Sequence, residues 1–132
     1  MISCEVKKEI NFISNRVIGA AIEVHRNLGP GLLESAYEEC ICREFELRGI
    51  IYERQKSIPL LYKGSKLDIG YCADLMVEEK IIVELKTVDF ILPIHEAQLI
   101  TYLRLADLWL GLLINFNVPI LKKGIKRIVK GF

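Results

Sequence analysis

The stretch GYCADLMVEEKIIVELKTV, residues 70–88, constrains the fold more than any other part of the chain. Two apolar runs flank Glu78, Glu79 and Lys80, so the stretch reads as neighbouring strands joined by a tight turn. The β-branched run from Ile81 to Val88 suits a central strand covered on both faces. Such a strand has little room for charge, yet Asp74, Glu84 and Lys86 stand among its apolar residues. Side chains alternate along a strand, so Glu84 and Lys86 share one face while Val83, Leu85 and Thr87 take the other. With an odd number of residues in the turn, Asp74 lies directly across from Glu84 on that face. Two carboxylates and an ammonium then converge.

Adjacent carboxylates in a partly buried site repel, and each raises the other's pKa unless a cation lies between them. A divalent metal is the natural occupant. Lys86 beside them can orient or activate a water, or stabilise charge growing on a phosphate. The plainer alternative is a cross-strand salt bridge on a solvent-facing sheet, with Lys86 pairing Asp74 or Glu84. The apolar surroundings weigh against it, because they make the acids exceptions within a buried sheet.

The rest of the chain supplies the frame. Ile10, Ile13, Val17, Ala20, Val24 and Leu28 recur at helical spacing from about Glu5, with Ile18 and Ile22 widening the stripe, and Gly29-Pro30-Gly31 ends that helix. A second helix is expected from Leu32 to Arg48 with Leu33, Tyr37, Cys40, Ile41 and Phe45 inward and Gly49 as its stop. Extended segments follow at Ile51–Tyr62, Leu67–Val77 and Ile81–Val88, with a turn at Lys63-Gly64-Ser65. Pro93 opens a helix through Ala106, residues 108–116 read as a buried strand, and GIKRIVKGF offers a last edge strand. The order α-α-β-β-β-α-β(-β) implies one α/β sandwich around a mixed β-sheet flanked by helices.

A chain of 132 residues, 52 % apolar and 27 % charged, matches one domain spanning 1–132 with a substantial core. No run reaches the length of a membrane span, and acids and lysines occupy the amino terminus where a secretory signal needs an apolar block, so a cytoplasmic protein is expected. Cys4, Cys40, Cys42 and Cys72 form no CxxC pair and read chiefly as buried thiols, with an iron or zinc cluster as the weaker alternative. Net charge is only +1, although Lys122, Lys123, Lys126, Arg127 and Lys130 crowd the tail, either as a phosphate-facing patch or as a solvated strand.

Further polar residues border the same region. Glu34 precedes Tyr37 by one turn at the margin of the second helix's stripe, where a first-turn glutamate also answers free amides and the helix dipole. His95, Gln98 and Tyr102 share one stripe of the helix after the Glu84 strand. His25 fits a satisfied buried histidine better than a ligand.

Together these residues resemble the PD-(D/E)xK nuclease superfamily, and within it the GxxExxY family, whose name is spelled by Gly31, Glu34 and Tyr37. The superfamily order of helical glutamate, strand aspartate and E-x-K is met by Glu34, Asp74, Glu84 and Lys86, and Gln98 with Tyr102 matches the QxxxY signature of its RecB-like branch. The resemblance runs from about Ile10 to Val129, and Ala73 stands where the superfamily has proline. It implies a restriction-endonuclease-like core in which Asp74, Glu84 and the Leu85 carbonyl hold Mg2+ or Mn2+. Glu34 then binds the metal directly or through water, Lys86 positions the attacking water, and Gln98 and Tyr102 orient the site or the phosphate. The implied partner is nucleic acid, DNA first, with a homodimer as a way to grip a duplex and no membrane. Two rivals stand beside the nuclease: a nuclease fold that binds nucleic acid or a protein without cutting, and a protein whose acids only form salt bridges.

Overall fold

The Ser3 hydroxyl accepts a hydrogen bond from the Val6 N–H at 3.2 Å and so caps the first helix, α1 (Cys4–Leu28). The structure, a computed structural model, describes residues 2–130. The stripe read from the sequence is the buried one: Ile10, Ile13, Val17, Ala20 and Val24 enter the core, with Ile18, Ile22 and Leu28 packed against its margin. Gly29 stops the helix at a φ of 69° and donates its N–H to the His25 carbonyl. The second helix, α2, runs Glu34–Arg48 and starts two residues later than expected. Leu33 is therefore corrected: it is the extended N-cap residue, 76 % exposed, whereas Tyr37, Ile41 and Phe45 are buried and Cys40 is half-buried.

Of the two long extended segments, Ile51–Tyr62 divides in two, while Leu67–Val77 keeps one strand from Cys72 and only the end of another that starts at Ser65, where a turn residue was expected. β1 (Tyr52–Ser57) and β4 (Cys72–Val77) join the main sheet, and β2 (Leu60–Tyr62) pairs with β3 (Ser65–Leu67) in a separate hairpin turned at Lys63 and Gly64. Pro59, which cannot donate to a ladder, separates β1 from β2, and Gly70 at a φ of 82° separates β3 from β4. β5 (Ile81–Lys86), α3 (Pro93–Ala106), β6 (Leu110–Asn115) and β7 (Ile125–Val129) follow, the last entered through a short 3-10 turn at Leu121–Gly124. The order gains two short strands over the expected one.

The main sheet has five strands in the order β1-β4-β5-β6-β7 and is mixed: β5 and β6 run parallel, the other neighbours antiparallel. Parallel neighbours need a crossover, and α3 supplies it. Helices α1 and α2 cover one face, over Leu75, Val77, Ile81, Val83, Leu85, Leu110, Leu112 and Ile114. Helix α3 covers the other, with Leu99 and Leu103 against Met76, Ile82, Leu113 and Ile128. Gly111 sets that seating, because a Cβ there would come within 2.9 Å of the Leu99 side chain.

Other readings are settled locally. Cys42 is buried and Cys40 half-buried, but Cys4 and Cys72 are exposed, since they open α1 and β4 at the fringe of the packed layers. No group of cysteines that could hold a metal occurs among the described residues. The tail forms an edge strand in which Lys126 pairs with Glu96 and Lys130 with Asp107, while Lys122 and Lys123 remain exposed; Gly131 and Phe132 lie outside the described residues. Among the described residues no helix is long and apolar enough to cross a membrane.

Candidate active site

The turn between β4 and β5 decides which acids meet. Glu78 and Glu79 take positive φ values of 54° and 58°, and with Lys80 they make the odd-numbered turn that pairs Val77 with Ile81, Met76 with Ile82 and Leu75 with Val83. One step further sets Asp74 opposite Glu84, but there the backbone ladder stops. Side chains replace it. The Asp74 N–H donates to Glu84 Oε2 at 2.7 Å, and the Leu85 N–H donates to Asp74 Oδ2 at 2.8 Å. A buried backbone N–H must find an acceptor, so each carboxylate is tied to the opposite strand.

Burial and mutual repulsion dominate the electrostatics. Glu84 is 5 % exposed, and burial first, then the neighbouring Asp74, pushes its carboxyl up to about 8. Asp74 is raised by burial against the opposing pull of the Leu85 N–H and of Lys86. Burial and the Asp74 charge also raise Glu34, again opposed by Lys86, so these four residues form one interacting cluster. Tyr102 is raised by burial and then by Glu84 and Asp74, and its hydroxyl accepts a hydrogen bond from Gln98 Nε2 at 3.2 Å. The expected set of Glu34, Asp74, Glu84, Lys86, Gln98 and Tyr102 is thus brought to one place, with Leu85 between the two charged residues of β5. Lys86 is half-buried and enters no ion pair among the described residues, so the simple cross-strand salt bridge is not formed.

Glu34 reaches the cluster because the loop before it is clamped. The fully buried Tyr37 stacks on Phe116 with ring centroids 4.4 Å apart. Its hydroxyl donates to the Gly29 carbonyl at 2.5 Å and accepts the Leu32 N–H at 3.3 Å. Leu33 offers no side-chain cap to α2, so this tyrosine fixes the approach to the helix instead. The histidines lie outside the cluster's chemistry. His95 Nδ1 accepts the Leu92 N–H at the start of α3, and the buried His25 meets the Val118 carbonyl at 2.8 Å.

Sequence reasoning missed Glu38 and Gln55. Glu38 lies one turn beyond Glu34, and Gln55 on β1 donates to Glu38 at 2.9 Å and, more loosely, to Asp74 at 3.5 Å. Their signal is the antiparallel β1–β4 register, which becomes visible only once those strands are known to be neighbours.

No three His, Cys, Asp or Glu side chains among the described residues stand close enough to enclose a metal by themselves. The donor chemistry still suits a hard cation. Asp74 and Glu84 are oxygen donors whose ionisation is opposed first by burial, more than Lys86 offsets, and a divalent ion would favour their ionised form. Glu34 and the Leu85 carbonyl are further oxygen donors of the same kind.

A family model described as the PD-(D/E)XK nuclease superfamily matches residues 11–128. Three helices and a five-stranded mixed sheet among the described residues are consistent with the restriction-endonuclease-like core expected of it. No curated protein and no solved structure matches the chain.

Proposed function

The chain belongs to the PD-(D/E)XK nuclease superfamily, and from that premise we propose that it is a metal-dependent nuclease hydrolysing phosphodiester bonds in nucleic acid, with DNA as substrate. The reading places it in the GxxExxY family of the RecB-like branch, as one domain over residues 1–132 acting in the cytoplasm. The observation that carries the proposal is the junction of β4 and β5, where the ladder ends and two buried carboxylates take over its hydrogen bonds.

Asp74, Glu84 and the Leu85 carbonyl would hold Mg2+ or Mn2+, with Glu34 binding directly or through water. When bound, such an ion supplies charge neutralisation at the phosphate and a more acidic water. The chain's own groups do the remainder. Lys86, without an ion-pair partner among the described residues, holds the attacking water by its ammonium. The Gln98 amide fixes the Tyr102 hydroxyl, and the pair orients the phosphate from the α3 side. Each copy carries one such cluster, so cutting both strands of a duplex calls for a second copy, and a homodimer is part of the proposal.

The test is cleavage of labelled DNA and RNA, single- and double-stranded, with Mn2+ or Mg2+. Asp74→Asn and Lys86→Ala should each lower the rate by about two to three orders of magnitude while circular dichroism stays unchanged. Unchanged activity in a purified double variant would sink the assignment. A wild type that binds DNA but cuts nothing with either ion would identify the non-cutting binder instead.

A further inference from the structure

We infer that Gln55 is a positioning residue for Asp74, held in a left-handed backbone conformation so that its side-chain amide bridges Glu38 on α2 and Asp74 on β4. The inference rests on the metal-site reading above and names a residue outside the superfamily pattern.

The ladder between β1 and β4 is regular except at one rung. Tyr52 pairs with Val77, Glu53 with Met76 and Arg54 with Leu75, and pairing resumes with Lys56 opposite Ala73. The omitted rung is Gln55 opposite Asp74. At that point Gln55 adopts a φ of 47° in the middle of a six-residue strand. Glutamine has none of the local hydrogen bonding that lets asparagine or aspartate occupy this region, so the conformation costs energy and persists only where its surroundings impose it.

Those surroundings are specific. Gln55 Nε2 donates to Glu38 Oε1 at 2.9 Å, and Glu38 is itself anchored through its other oxygen by Arg54, whose Nε and Nη2 lie at 3.2 and 2.8 Å. The same amide reaches Asp74 Oδ1 at 3.5 Å, while Asp74 Oδ2 takes the Leu85 N–H at 2.8 Å. The two oxygens of Asp74 are therefore approached from opposite neighbouring strands, which sets the plane of the carboxylate. The missing rung also lets β4 turn over: Ala73 packs on the α3 side, whereas Leu75 packs on the α1 and α2 side, although strict alternation would put both on one face. Asp74 sits at the switch. An exposed glutamine in ordinary extended conformation would hydrogen-bond water without strain. Partners that orient ligating carboxylates commonly matter to metal affinity by ten- to a hundredfold.

Gln55→Gly separates this role from a merely structural kink. Glycine accepts the left-handed conformation without strain but has no side-chain amide. Mn2+ titrated by calorimetry into wild type, Gln55→Gly, Glu38→Gln and the double variant should show about tenfold weaker binding for Gln55→Gly, with an equal or higher Tm. The double variant should bind no more weakly than Gln55→Gly alone, because both substitutions break one chain of contacts. Wild-type affinity in Gln55→Gly, alongside loss of binding in Asp74→Asn, overturns this role and leaves the metal site standing. A Tm that falls together with the affinity assigns Gln55 to the fold instead. A wild type that binds no Mn2+ overturns the metal reading and this role together.

Discussion

Strand β5 is paired on both sides, and the two sides are built differently. Towards β6 the ladder is continuous from Ile81 opposite Leu110 to Lys86 opposite Asn115, and every residue of β6 is buried. Towards β4 it ends at Leu75 opposite Val83, and carboxylates take over the hydrogen bonds that backbone would have made. A complete ladder satisfies its own polar groups and packs apolar side chains on both faces, which favours folding. A broken one leaves room for reactive groups and buries their carboxyls, whose ionisation opposes folding. One strand thus carries stability on one flank and the candidate chemistry on the other.

The largest effect is expected on the stable flank. Leu112→Ala should cost about 2–5 kcal/mol in urea unfolding, because a fully buried side chain of β6 leaves a cavity, yet Mn2+ affinity of the folded protein should hold. Affinity lost in step with stability would show that the flanks are not separable.

On the β4 flank, stability should depend on pH. The Glu84 carboxyl is raised from 4.5 to about 8 in the fold, so its contribution to stability is complete below about 4.5 and is lost as pH rises through about 8. The Tm of the metal-free protein should fall across that window relative to Glu84→Gln, which lacks the titrating group. Added Mn2+ should offset the fall increasingly towards pH 8, since the ion binds the carboxylate and not the acid. Parallel melting curves for the two proteins would refute the buried-carboxyl account.

The smallest effect is expected at Tyr37→Phe, about 1 kcal/mol for the lost hydroxyl contacts with Gly29 and Leu32. A few-fold loss of Mn2+ affinity should accompany it if the clamped loop positions Glu34. Unchanged affinity would confine Tyr37 to the core.

Much of this was legible from local patterns. The α1 stripe follows from helical periodicity, the start of α3 from Pro93, and the opposition of Asp74 and Glu84 from counting an odd turn. Pro59 carried the signal that separates β1 from β2, but β2 looked continuous with its neighbour, and Ser65, which opens β3, read as a turn residue. Leu33 fell outside because a helix boundary shifts by a residue or two without changing its apolar spacing. Gln55 had no local signal at all. Its conformation answers partners 17 and 19 positions away, on α2 and β4.

The sequence by itself determined the element types, the mixed architecture and the acids and lysine offered to the site, since periodicity, proline chemistry and strand alternation act over a few residues. Only packing settles that Lys86 enters no ion pair among the described residues, that Glu84 is driven towards the neutral form, and that the ladder lapses on both sides of Asp74. Those outcomes depend on burial and on distances between groups remote in the chain, and neither quantity exists until the strands and helices have packed.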